Sequence, residues 1–221
     1  PRSTPLYSSA ASDVYKRQVL SRAVALEGET PILRGLRIWG EVVLLKGGVG
    51  DLSRLPEIAT EARALIGLSP DAPWGYAALG YASIEHGDMS SAITLFRKAV
   101  MRDPTDTESR HWLTAALAYS GLLEQAEEAA AEMLAIDPLS PMAAVSSIVG
   151  PVFSGRIASA IAPLGRAVAA EPSDFPARWC LCYASMWTGD LDAAQTHLDW
   201  MLAAAPGTPY VIQADAQFRL L

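Results

Sequence analysis

Prolines recur in this chain at a fixed interval of 34 residues: Pro70, Pro104, Pro138, Pro172 and Pro206. Seventeen residues before the last four stand Gly87, Gly121, Gly155 and Gly189, and five residues after these come Ala92, Ala126, Ala160 and Ala194. With 15 prolines and 16 glycines in 221 residues, three further in-register hits for both by accident have odds on the order of 10⁻⁷. No other feature constrains the chain as much, because a period of this length requires one supersecondary unit to be built several times over.

The spacing has a physical reading. Ahead of each glycine runs a helical pattern, such as Trp74, Tyr76, Ala77, Leu79, Gly80, Tyr81 and Ile84. The glycine ends that helix, because it enters the left-handed region without a Cβ clash. A second amphipathic helix follows, for example Ser91 to Met101 with Ala92, Leu95, Phe96 and Ala99 on one face. The alanine sits where the two helices would cross, and the proline lies past the end of the second helix, which it could not continue. Pro73, Pro141 and Pro209 then fit the first turn of the next helix, where a missing N–H costs nothing.

Two helices per 34 residues in this Gly, Ala and Pro phase resemble the tetratricopeptide repeat family. The clearest unit is 73–106, with Tyr76, Leu79, Gly80, Gly87, Ala92, Phe96, Ala99 and Pro104. Unit 107–140 keeps Leu113, Gly121, Ala126 and Pro138, but has Thr114 and Ala130 where the family has a small glycine and an aromatic. Unit 175–208 keeps Leu181, Gly189, Ala194 and Pro206, and an earlier unit, about 36–72, has Trp39, Gly50, Asp51 and Pro70 with three extra residues. The resemblance implies an all-α fold, a right-handed superhelical solenoid of antiparallel helix pairs with about five units over 19–221. Residues 209–221 form a capping helix or a truncated unit. Unit 141–174 is irregular: Gly150-Pro151 interrupts its first helix and Pro163 falls inside its second, so a kink or a shortened helix is expected there.

In this family the first helices line a concave side where peptides or partner helices bind. Residues spaced i, i+3, i+7 and i+10 share one stripe of a helix. Applied here, that spacing with its neighbours gives a candidate protein-binding groove of Trp74, Tyr81, Ile84, His111, Tyr119, Val149, Phe153, Trp179, Tyr183, Met186 and Trp187. The stripe is apolar and aromatic, which reads either as a binding surface or as side chains packed on neighbouring helices. It lacks the Lys, Arg and Asn with which some family members clamp a carboxylate, so a hydrophobic peptide or amphipathic helix is the expected partner. The acidic run Glu124, Glu127, Glu128 and Glu132 reads as a solvated outer face.

Signals for chemistry are missing. His86, His111 and His197 have no partner at metal-ligand or catalytic spacing, and Cys180 and Cys182 diverge on a helix and read as small buried hydrophobes. Gly47-Gly48 and Gly50 lack the Lys-Ser/Thr of a phosphate loop. No enzyme activity, cofactor or metal is expected. A net charge of −7 argues against nucleic acid, and no window is long and apolar enough to span a membrane. The leading reading is a non-catalytic interaction scaffold. The alternative is a regulatory or sensory segment of a larger bacterial signalling protein, a serine/threonine kinase, cyclase or transcription regulator, acting in cis or by self-association. The phrases Ile136-Asp137-Pro138-Leu139-Ser140-Pro141 and Ala205-Pro206-Gly207-Thr208-Pro209 are similar to the repeat tails of such kinases. Two cysteines outside any disulfide pattern favour the cytoplasm.

Residues 1–18, PRSTPLYSSAASDVYKRQ, have no apolar periodicity and resemble translated sequencing-adapter read-through at the end of a metagenomic reading frame; they are expected to be disordered and non-native. Deleting them should leave the melting temperature unchanged, and a loss of several degrees in a thermal scan would show that they pack.

Overall fold

Each expected turn glycine holds a left-handed backbone: φ is +76° at Gly87, +75° at Gly121, +77° at Gly155 and +82° at Gly189, in a computed structural model of the chain. The structure describes residues 18, 19, 22, 23, 25, 30–46, 51–138 and 140–221. The expectation for 1–18 lies outside these residues except at Gln18, as do Gly47, Gly48, Gly50 and Leu139.

All the regular structure among the described residues is helical. The α-helices are α1 (Pro31–Lys46), α2 (Leu55–Leu68), α3 (Pro73–Glu85), α4 (Met89–Arg102), α5 (Thr107–Tyr119), α6 (Leu123–Ile136), α7 (Pro141–Phe153), α8 (Ile161–Ala170), α9 (Phe175–Thr188), α10 (Leu191–Ala204) and α11 (Pro209–Phe218). Short 3₁₀ turns at Leu52–Arg54 and Ile157–Ala160 precede α2 and α8. The chain divides into two compact units, residues 8–116 and 117–221, with the boundary inside α5.

The 34-residue period is a period of hydrogen bonds. Past each turn glycine, an N–H reaches back five residues: Asp88 to Ser83, Leu122 to Leu117, Arg156 to Pro151 and Asp190 to Ser185, at 2.8–3.0 Å. This six-to-one bond satisfies a carbonyl that the helix end would otherwise orphan. Asp88 and Asp190 then cap the following helix by accepting from the N–H of Ser91 and Ala193, whereas Leu122 and Arg156 provide no such cap. The bonds from Ser91 hold the Asp88 carboxyl below the usual carboxylate range. Its contribution to stability is therefore present above the ordinary Asp value and is lost as pH falls through the lowered one.

The periodic prolines carry a second repeating contact that the spacing alone did not disclose. Tyr76 Oη donates to the Pro70 carbonyl at 3.1 Å, Arg110 Nε to Pro104 at 3.1 Å and Arg178 Nη2 to Pro172 at 2.9 Å. Each donor stands six residues after its proline. The corresponding residue in the irregular unit is Ala144, whose side chain has no donor.

Apolar packing follows the same register. Ala92, Ala126, Ala160 and Ala194 have no accessible surface. Where α3 approaches α4, a Cβ on Gly80 would stand 3.0 Å from the Phe96 ring, so only glycine leaves that ring its place. Within 117–221, one core joins Ile148, Leu164 and Leu181 from α7, α8 and α9. A second joins Cys182, Leu198 and Val211 from α9, α10 and α11.

The irregular unit departs from regularity in one helix, not two. α7 runs through Gly150 and Pro151 for 13 residues, as long as α3 and α5. The expected interruption there is corrected: Pro151 falls in the last turn and costs one backbone bond. The second helix is shortened as expected. Pro163 has no N–H to return to Ser159, and the first turn is wound as 3₁₀ over Ile157–Ala160, leaving ten residues of α-helix where α4, α6 and α10 have 14.

Two glycine substitutions should move stability in opposite directions. Gly87→Ala forces an L side chain into the left-handed region and should cost about 1–2 kcal/mol. Gly67→Ala places a methyl in open space on α2 and should gain roughly 0.5–1 kcal/mol through helix propensity. Urea denaturation of the two variants checks both signs.

Candidate functional site

The candidate groove residues divide between the two compact units, and those in 8–116 are occupied by packing. The Trp74 ring lies on Gly35 of α1, where a Cβ would fall 2.6 Å from it. Tyr81 is 4% exposed and meets Trp112 of α5 edge-on, with ring centroids 5.2 Å apart. His111 stands edge-on to the same Trp112 at 5.3 Å, and Ile84 is half-buried. Trp112 in turn donates its Nε1–H to Glu108 at 3.0 Å. Tyr81 therefore belongs to the core, a correction to its expected place on a binding surface. The reason is its position opposite α5, whose tryptophan covers it.

The unit 117–221 presents its residues differently. Tyr119, Phe153 and Trp187 each stand two residues before a turn glycine, at the last or next-to-last position of α5, α7 and α9, and are 50%, 52% and 71% exposed. Tyr119 and Phe153 touch edge to face, with centroids 5.4 Å apart. An apolar cleft of about 350 Å³, with Trp187 in its lining, opens between α7 and α9. Ile148 and Val152 of α7 form one wall, and Ile157 of the 3₁₀ turn closes one side. Trp179, Cys180, Tyr183, Ala184 and Trp187 of α9 form the other wall. None of these side chains carries a charge. Val149 is half-buried on α7, one residue from Ile148.

Met186, expected in the groove, is 5% exposed and packs in the core with Cys182, Leu198 and Val211. It lies one residue from Trp187 on α9, and a step of about 100° around a helix turns one side chain inward and the next outward. The cleft also contains residues that the stripe did not select. Ile157 follows the turn glycine, outside any first helix, and no helical spacing could have found it. Ile148, Cys180 and Ala184 lie on the flanks of the stripe.

The α9 wall is held by aromatic contacts. Trp179 meets Tyr183 at 4.8 Å and Tyr210 of α11 at 5.5 Å, and Tyr210 meets Phe175 at 6.4 Å. Trp179 Nε1 and Tyr183 Oη are both buried without a hydrogen-bond partner. Burial pushes the Tyr183 phenol above its usual pKa. On the opposite side of α9, Arg178 lies 4.3 Å over the Trp200 ring and 3.4 Å from His197 Nδ1. Burial and that guanidinium hold His197 below its ordinary pKa and therefore neutral at pH 7.

The arrangement is suited to binding apolar groups and poorly suited to nucleophilic chemistry. Burial and the neighbouring Asp174 push the Cys180 thiol up to about 12, and burial pushes Cys182 to about 11, so thiolate is scarce at neutral pH. Among the described residues no group of His, Cys, Asp and Glu is arranged to hold a metal ion, and no helix is long and apolar enough to cross a membrane.

Two neighbours on α9 should respond differently to truncation. Met186→Ala opens a core cavity and should cost about 2–5 kcal/mol, while Trp187→Ala should change stability by less than about 0.5 kcal/mol. Tyr183→Phe removes an unpartnered buried hydroxyl and should leave stability equal or raise it by about 1 kcal/mol. Chemical denaturation of the three variants tests these assignments.

Residues 83–146 match the family model described as Tetratricopeptide repeat. No curated protein matches the chain significantly. Among solved structures, a thermophilic tetratricopeptide protein of Thermus thermophilus is similar with TM-score 0.71 and 21% identity, over 85% of this chain and 100% of that one. Human IFIT1, solved as a dimer with m7Gppp-AAAA, has TM-score 0.73 and 15% identity over 87% of this chain and 46% of its own. YrrB, described as a tetratricopeptide protein with an unusual peptide-binding site, has TM-score 0.50 and 14% identity over 90% of this chain and 99% of its own. With the helix pairs and turn glycines in phase, residues 83–146 match the tetratricopeptide repeat model, and the chain shares the helix-pair fold of these structures along most of its length.

Proposed function

We propose that the chain is a non-catalytic protein-interaction module whose unit 117–221 takes an apolar side chain of a peptide or helix into the cleft between α7 and α9. One observation carries this reading: an uncharged cleft of about 350 Å³ is lined by Trp187, which is largely exposed, and the chain leaves Phe153, next to the lining residue Val152, and its contact Tyr119 at least half exposed as well. Bulky apolar side chains on a protein surface lose free energy when covered, and aromatic anchors in pockets dominate binding energetics. The peptide-binding description attached to YrrB, a protein of similar fold, agrees with this class of function. A segment of a larger signalling protein acting in cis would meet the same cleft with the same chemistry. RNA is disfavoured, although IFIT1 was solved with a capped oligonucleotide, because the cleft offers no cation to a phosphate.

Peptide-display selection against the full chain tests the proposal. Selected peptides should carry a bulky apolar residue. The double substitution Phe153→Ala, Trp187→Ala should weaken them about tenfold or more in fluorescence anisotropy, while Leu68→Ala, an exposed residue of the other unit, should not. Equal binding by both variants would remove the cleft from the function. Tyr81 and Trp179 are unsuitable targets, since both are engaged in packing and their loss confounds binding with folding.

A further inference from the structure

The charge of this chain is segregated. Residues 117–221 contain four arginines, no lysine and eleven acidic side chains, a net charge of −7, while residues 19–116 hold ten basic against twelve acidic side chains, a net charge of −2. Most of the net negative charge therefore falls in the unit that holds the cleft. Three of its four arginines are engaged locally: Arg156 with Glu127, Arg219 with Asp215 at 2.9 Å, and Arg178 against Trp200 and the Pro172 carbonyl.

The repeat register puts exposed carboxylates a few residues after the exposed aromatic residues along the chain. Asp190 and Asp192 follow Trp187 by three and five residues and are exposed. Glu124 follows Tyr119 by five residues and is exposed, as is Glu128 one turn further along α6. Glu127, which lies against Gly150 of α7, accepts from Arg156, the residue before Ile157 of the cleft.

We infer that the partner is a cationic amphipathic segment. Its bulky apolar side chain enters the cleft while Lys or Arg beside it face Glu124, Glu128, Asp190 and Asp192. This inference rests on the cleft reading above and adds the charge of the occupant. Complementary potential steers encounter and selects among apolar segments that would otherwise fit equally. An acidic amphipathic segment meets a unit of like net charge, and an uncharged one gains nothing from it.

Three labelled synthetic helical peptides of one length separate the contributions, titrated by anisotropy into the full chain. One pairs leucines with a lysine face, one pairs the same leucines with a glutamate face, and one keeps the lysines but replaces the leucines with serine. The lysine-leucine peptide should bind at least about tenfold tighter than the glutamate-leucine peptide near 50 mM salt, and the ratio should shrink several-fold near 500 mM as screening shortens. Glu124→Gln, Glu128→Gln and Asp192→Asn together should reduce the ratio, with circular dichroism confirming the fold, while Trp187→Ala should weaken both leucine peptides. Equal affinity for the two leucine peptides would overturn the charge inference and leave the cleft reading standing. Failure of both to bind would overturn the two together. Equal binding of the lysine-serine peptide would show attraction without the cleft and overturn the proposed mode.

Discussion

Where α3 meets α4, α7 meets the turn before α8, and α9 meets α10, the register supplies a side chain no larger than a methyl group. Ala92, Ala160 and Ala194 have no accessible surface, and Ala126 holds the same register. At one crossing the backbones come close enough for the Cys182 thiol to reach the Ala194 carbonyl at 3.5 Å. A larger residue at these positions would push the helices apart and uncover the apolar side chains around it. The turn glycines and periodic prolines set the phase that brings these alanines to the crossings. The repeat is in this sense one steric constraint imposed several times over.

That constraint explains what could be read in the sequence. Positive φ at Gly87, Gly121, Gly155 and Gly189 was legible because only glycine enters that region cheaply. The alanines were legible because burial and small size coincide at a fixed spacing. The proline-carbonyl donors Tyr76, Arg110 and Arg178 keep the period in place but change in chemical type, so no composition signal marks them. Pro151 and Pro163 differ for a related reason. The first lies in the last turn of α7, which survives it, and the second lies near the start of α8, where the helix is forced into 3₁₀ winding.

The candidate site was less legible than the fold. Helical spacing identifies a stripe but does not say which members a neighbouring element covers. Tyr81 and Met186 share the stripe with Trp187, yet Trp112 covers the first and the core below α9 encloses the second. The cleft also depends on Ile157, whose position follows from the 3₁₀ turn and not from any periodicity. The candidate cleft therefore lies where one unit departs from the average, while periodic reading detects what the units share.

The closed hydrogen bonding of the turns has a consequence for how such a chain changes length. Each glycine turn satisfies a carbonyl of its own preceding helix, and Tyr76, Arg110 and Arg178 each bond a proline only six residues upstream. A whole 34-residue module can therefore be gained or lost by recombination with few orphaned backbone groups at the seam. Removal of a fraction of a module would strand donors and bring bulky side chains to the helix crossings. The architecture thus tolerates genetic change in steps of one complete period and resists smaller ones.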